Sequence, residues 1–326
     1  MCGFIKSACI LICCFFTCNL FNYVKADVVF VSLKDDNNFL QSLKNYGIHQ
    51  EICDQYIDRY TIIKNIEYYD FAGNLIKNGA IVVQDALAEN VAKIFEELKN
   101  IKFPVAPINP IIGRKIVNVL PFGLFGWKKA IDDKSIDNLT GAYCCREIEH
   151  TNRLSLHSFG TAIDLNTLQN PCIFIDEKTN EIQNIVPEKG AMYLNRSFNR
   201  KGKVEKDIGK INDKIVKIFK KYGYDIWGGH WDFPIDYQHF QVSTRKFADL
   251  LMYADKEDAK SIFKIHTNCV NLLDKSITEM AEEKNIDLLD KYKQNKDEFF
   301  KEVGNWCILH SQKDENKDTK IKNKKR

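Results

Sequence analysis

The chain has 326 residues, 44% of them hydrophobic and 12% aromatic. That composition excludes a disordered chain, a collagen-like repeat and a disulfide-dense mini-protein, and the length suits one large domain or two small ones. Lys+Arg 47 against Asp+Glu 44 leaves a formal charge of +3, too balanced to argue for a nucleic-acid-binding surface.

Residues 1–26 read as a secretory signal. Lys6 supplies the positive start, Ala8 to Cys18 is an apolar stretch of eleven residues, and Val24-Lys25-Ala26 offers small or modest residues where a signal peptidase reads. Asp27 is then the expected first residue of an exported, mature chain in the periplasm or cell envelope, with an uncleaved N-terminal anchor as the alternative. No other stretch approaches the roughly 20 apolar residues of a spanning helix, so no stable membrane span is expected after signal removal. Six cysteines stay behind: Cys53, Cys144, Cys145, Cys172, Cys269 and Cys307. An oxidising compartment lets some of them pair, but sequence cannot choose the connectivity. Without a C-x-x-C pair, neither a zinc ribbon nor a thioredoxin motif is expected.

Along the mature chain, Tyr60 to Val83 has a β pattern with a turn at Gly73. Leu87, Val91, Ile94, Phe95 and Leu98 recur on one face of a 3.6-residue period and predict a helix that Phe103-Pro104 ends. Residues 105–140 are proline-punctuated and lack a period, the kind of long irregular stretch that is more often functional than idle. A second amphipathic helix is predicted from about Asp207 to Tyr222, with Ile208, Ile211, Ile215, Ile218 and Phe219 as its apolar face and Gly223 as its stop. Beyond Phe247 the pattern is helical. One stripe runs through Ile262, His266, Cys269, Leu273, Ile277 and Met280, and a further helix covers about Ile286–Val303. Residues 313–326 carry seven Lys/Arg against three Asp/Glu and are expected to be a disordered tail. The fold class expected is α+β, a single domain with a helical C-terminal extension.

Two segments stand apart chemically. One runs from Arg153 to Asn166 and holds His157 and Asp164; the other runs from Trp227 to Gln241 and holds His230, Asp236 and His239. Two imidazoles and a carboxylate are a common ligand set for a catalytic zinc, which keeps a further position open. His157 and Asp164, separated by a bend at Gly160, can reach one ion, with His239 as the best distant third ligand. Asp236, three residues before His239, is placed to accept a proton from an attacking water. On residue types alone, a structural His–Asp pair remains the alternative.

The full strings are more specific. S-x-H-x-x-G-x-A-x-D at Ser155, His157, Gly160, Ala162 and Asp164 is followed by G-G-x-W-x-x-x-x-D-x-x-H-F at Gly228, Gly229, Trp231, Asp236, His239 and Phe240. Together they resemble the zinc D-alanyl-D-alanine carboxypeptidase family, which also includes phage endolysin L-alanyl-D-glutamate peptidases and vancomycin-resistance dipeptidases. The resemblance extends from about Tyr60 to Val242 and weakens upstream of Gly141. It implies a hedgehog/DD-peptidase-like domain with a central antiparallel sheet flanked by helices, over residues 27–252 with its motif core at 141–242. A helical extension at 253–312 and the tail at 313–326 lie beyond it. It implies one Zn2+ held by His157, Asp164 and His239, Asp236 as general base, and Arg146 as the cation facing the oxyanion. Ser155 and Trp231 are implied as substrate-binding, with turn and core roles as their alternatives; Trp227 is a second candidate wall.

Substrate expectations follow from the same resemblance: a peptidoglycan peptide, cut most readily between L-Ala and D-Glu, with D-Ala-D-Ala carboxypeptidase as the runner-up. Three departures bear on that choice. The presumed base is Asp rather than the Glu of the resistance dipeptidases, His230 stands where the endolysin branch has a carboxylate, and Gln238 stands where that branch often has Pro. A non-catalytic zinc-containing binding module and a cysteine peptidase built on Cys145 are the rival readings. H-E-x-x-H, G-x-S-x-G and Walker motifs are absent. Oligomeric state is not legible.

Overall fold

The computed structural model describes residues 27–45, 53, 55–111, 138–148, 151, 153–194 and 208–307. The expected signal segment, most of the irregular stretch at 105–140 and the basic tail lie outside the described residues.

Eleven strands are described, and they form three sheets rather than one. The first contains β1 (Val29–Ser32), β2 (Tyr60–Tyr69) and β3 (Leu75–Gln84), all antiparallel. Gly73, at a φ of +84°, makes the β2–β3 turn in a conformation open chiefly to glycine. Register places Ile62 opposite Val82 and Ile63 opposite Ile81. Alternation then sends the first pair to one face and the second to the other. Ile62, Val82 and Tyr60 join a small cluster with Leu33 and Tyr143, whereas Ile63, Ile81 and Val83 enter the main core. A sheet covered on both faces explains why β2 and β3 read as nearly continuous apolar runs.

The second sheet carries β4 (Ile108–Ile111), β5 (Thr140–Tyr143) and β6 (Ala162–Asp164), and later β9 (Ile226–Trp227) and β11 (His239–Gln241), in the order β4-β5-β6-β11-β9. It differs from the all-antiparallel expectation at one edge, because β4 and β5 run parallel. Residues 112–139 separate them, long enough for the crossover a parallel pair requires. The third sheet is small: β7 (Cys172–Ile175) between β8 (Ile182–Val186) and β10 (Ile235–Asp236).

The helix Ala88–Asn100 buries Val91, Ile94, Phe95 and Leu98, the face its period predicts. Each such side chain contributes about 1.5–3 kcal/mol on leaving water. The second amphipathic helix is shorter than its sequence pattern suggests, Asp213–Lys221. Asn212 accepts bonds from the backbone N–H groups of Lys214 and Ile215 at 3.0 and 3.3 Å and starts the helix there. Ile211 is buried ahead of the helix while Ile208 is 53% exposed, so the stripe crossed a boundary that apolar spacing does not mark. Gly223, at φ +92°, closes the far end as expected.

Beyond it come helices at Arg245–Tyr253, Lys256–Leu273, Ile277–Glu283, Leu288–Gln294 and 296–307. The stripe from Ile262 to Met280 therefore spans two helices. Asp274 turns left-handed at φ +58°, and Ser276 with Glu279 forms a reciprocal capping box that starts the next one. The expected helix at 286–303 is likewise two, broken at Asn295. Ile262, Cys269, Phe299, Val303 and Trp306 belong to the same buried cluster as the sheet residues Ile63, Ile81 and Phe240. Cys269 and Cys307 form a disulfide across the C-terminal helices, and Cys53 pairs with Cys145 across a separation of 92 residues. Cys145 therefore has no free thiol, which removes the cysteine-peptidase reading. Among the described residues Cys144 and Cys172 are free, and both are buried. No helix among the described residues is long and apolar enough to cross a membrane.

Candidate metal centre

His157 sits in a single 3-10 turn, Leu156–Phe159. Ser155 caps that turn, its hydroxyl accepting from the His157 backbone N–H at 3.3 Å. Gly160 ends it at φ +64°, and a Cβ there would lie 2.5 Å from the backbone nitrogen of Gln84. Both left-handed backbone and close packing therefore demand glycine. The chain emerges into β6, where Asp164 faces His239 of β11 directly across an antiparallel pair. Opposed residues in such a pair project to the same side. A turn and two neighbouring strands thus bring three side chains from distant parts of the chain to one point.

The three donor atoms form a nearly equilateral triangle. His157 Nε2 lies 3.2 Å from His239 Nδ1, and each is 3.3 Å from Asp164 Oδ1. The opposite ring nitrogens settle the proton positions. His157 Nδ1 is 2.7 Å from the Ala142 carbonyl oxygen, which can only accept, so that nitrogen carries the hydrogen. Gln241 donates its amide to the Ser243 carbonyl at 2.6 Å and turns its oxygen to His239 Nε2 at 3.0 Å, so Nε2 donates there. In the neutral imidazoles both inward nitrogens are bare lone pairs, aimed at each other and at a carboxylate. His157, Asp164 and His239 are 3%, 7% and 8% exposed. Three electron-rich atoms buried so closely repel unless a cation or proton joins them.

This donor set fits a metal ion. Ligands about 2.0 Å from a tetrahedral zinc are separated by about 3.3 Å, the edge of this triangle. Burial alone would raise the Asp164 carboxyl, but when His157 and His239 take up protons their charges and hydrogen bonds hold it well below the usual carboxylate range, so the carboxylate favours positive charge at this point. Burial opposes charge on His239, yet the neighbouring Asp164, then Asp236 and Gln241, raise its pKa above the usual imidazole value.

Asp236 lies on β10, beside the triangle. Burial, and then the Asp164 charge, push its carboxyl up to about 6. Its Oδ1 is buried without a hydrogen-bond partner among the described residues. Gly228 makes that placement possible, because a Cβ there would come within 2.5 Å of the Asp236 carbonyl oxygen. Trp231 lies against His239 with ring centroids 5.2 Å apart, forming part of the site wall. Trp227 is tied inward, donating its indole N–H to the Tyr237 carbonyl at 2.8 Å. His230 is exposed and meets the Trp227 ring edge-on.

Arg146 follows β5 in an exposed irregular segment. Its backbone is fixed by a 2.9 Å bond from its N–H to Ser158 Oγ and another from Ser155 N–H to its carbonyl, so it is stitched to the turn that holds His157. Its guanidinium is exposed, and its charge is felt by the thiols of Cys144 and Cys172. Ser155 is 5% exposed and engaged in capping, so its oxygen acts on the His157 turn.

Ala142 and Gln241, which set the two imidazole tautomers, were not singled out from sequence. Gln241 was legible in principle, since it stands two residues after His239 and shares its strand face. The Ala142 carbonyl was not, because a backbone oxygen leaves no mark in sequence.

Fold and site together define a buried His-Asp-His centre with a neighbouring carboxyl. A family model described as D-alanyl-D-alanine carboxypeptidase matches residues 149–242, a span that contains all three donors and Asp236. The match supports a peptidase of that family. No curated protein and no solved structure matches the chain.

Proposed function

We propose that this chain is an exported zinc metallopeptidase that hydrolyses the peptide stems of bacterial peptidoglycan. The observation that carries the reading is the triangle of two bare imidazole nitrogens and one carboxylate oxygen, with the Asp236 carboxyl beside it. His157, Asp164 and His239 would hold one Zn2+. When bound, zinc supplies Lewis acidity that polarises an amide carbonyl and makes water nucleophilic near neutral pH.

The remaining work falls to the chain. Asp236, whose carboxyl burial and then the Asp164 charge raise above the usual carboxylate range, is basic enough to hold a proton. It takes the proton of the attacking water and returns it to the leaving amine. Arg146, always charged, faces the oxygen on which negative charge develops. Trp231, its ring against His239, would shield that side of the centre from competing water. The reading places the peptidase in a hedgehog/DD-peptidase-like domain over residues 27–252, exported by the segment at 1–26.

Within the stem we assign the L-Ala-D-Glu bond, on the G-G-x-W…D-x-x-H-F string that the chain shares with endolysin-type enzymes. The second reading is removal of the terminal D-Ala, favoured by the description of the matching family model. Digestion of purified muropeptides by the mature chain, followed by mass spectrometry, separates them. Release of free D-Ala from pentapeptide stems marks a carboxypeptidase, and release of the stem after L-Ala marks an endopeptidase. Cleavage should stop with a chelator and in Asp236→Asn. A chain that binds one zinc but cleaves nothing is a binding module, and cleavage that survives both treatments places the chemistry elsewhere.

A further inference from the structure

The small sheet β10-β7-β8 has no part in holding a metal, yet it carries Asp236. In its register Asp236 stands directly opposite Cys172, so the two side chains share a face. Cys172 is 6% exposed and outside both disulfides. The two side chains therefore face each other in a buried setting, and Asp236 Oδ1 has no hydrogen-bond partner among the described residues. Burial, and then the negative charges of Asp236 and Asp164, push the thiol far above the usual cysteine range. At neutral pH it is therefore an S–H donor and not a thiolate that would compete for a cation. A cysteine buried only for packing behaves as a small hydrophobe; this one faces the carboxyl the chemistry needs.

We infer that Cys172 is the positioning residue for Asp236: its S–H donates to one carboxylate oxygen, fixes the side-chain torsion and leaves Oδ1 to receive the proton. The inference rests on the reading of Asp236 as the base. The S–H proton itself is not transferred; the proton from water goes to Asp236 and from there to the leaving amine. Sulfur is a weak donor, so its effect is on orientation. A carboxylate free to rotate spends less time in line with the water, and small misplacements at a reacting centre cost rate steeply.

The test compares Cys172→Ala, which removes the donor, with Cys172→Ser, which restores one, in the zinc-loaded full mature chain. The Ala variant should lose about tenfold in kcat, with KM and bound zinc unchanged. The Ser variant should recover to within about threefold of the parent. An Ala variant as active as the parent overturns the inference, as does a Ser variant no better than Ala, which marks a packing role. A second readout does not need activity. The S–H stretching band of Cys172 is isolated by subtracting the infrared spectrum of the Ala variant, and it should lie at lowered frequency and rise in Asp236→Ala. A band indifferent to Asp236 overturns the contact even if no muropeptide is cleaved. Absence of cleavage by the parent, with the band shift intact, instead refutes the peptidase reading and leaves the contact standing.

Discussion

The metal centre and the C-terminal helices are held together in opposite ways. In the helices, structure starts and stops at local signals: Asp255 caps Lys256–Leu273, Ser276 caps Ile277–Glu283, and Asp287 caps Leu288–Gln294. Their apolar faces then enter the main core with the sheet residues. In the centre, no local signal suffices. Asp164 and His239 are 75 residues apart and meet through strand register, and His157 joins them only because Gly160 ends its turn against Gln84. The first region is stabilised by burial and capping; the second gathers buried polar atoms that destabilise one another until a cation joins them. Changes in the helices should therefore be read in stability, and changes in the centre in metal binding and rate.

The largest effect expected is from removing residues 253–307. Phe299, Val303, Trp306, Ile262 and Cys269 are all buried in the shared cluster. At about 1.5–3 kcal/mol each, their loss rivals a net stability of about 5–15 kcal/mol. Calorimetry should show no cooperative transition in the truncated chain; a sharp transition would mean that the helices are a separable unit. Asp236→Asn comes next. It should lower kcat by about two to four powers of ten while zinc content and melting temperature stay near the parent values.

Breaking the Cys269–Cys307 disulfide with paired Ala substitutions should cost about 2–4 kcal/mol in denaturant unfolding. Zinc affinity should not move, and a parallel loss of zinc would blur the contrast between the regions. Gln241→Leu leaves the His239 N–H without its acceptor and should weaken zinc about 10–100-fold in competition with a chelator, with little change in unfolding. Ser276→Ala is the smallest: it should destabilise by about 1 kcal/mol through the lost cap, with activity intact.

Legibility in the sequence followed the same division. The β2–β3 hairpin, the turn at Gly73 and the buried face of Ala88–Asn100 could be read directly, because period and turn chemistry are local. The helix boundaries near Asn212 and Ser276 were also written locally, as an N-cap and an S-x-x-E box, but an apolar stripe followed alone runs through both. His157, Asp164, His239 and Asp236 were recognisable because two strings of fixed spacing carry them.

Residue identity and short-range spacing therefore settle which side chains are available and which segments coil, pair or turn, since those preferences arise from each residue's own backbone and near neighbours. Tertiary structure alone decided the rest. It paired Cys53 with Cys145 and Cys269 with Cys307, leaving Cys172 free opposite Asp236. It also gave each imidazole its tautomer through the Ala142 carbonyl and the Gln241 amide. The physical reason is common to all of these: each depends on distances between groups far apart in the chain, and register and packing set those distances only once the whole core has formed.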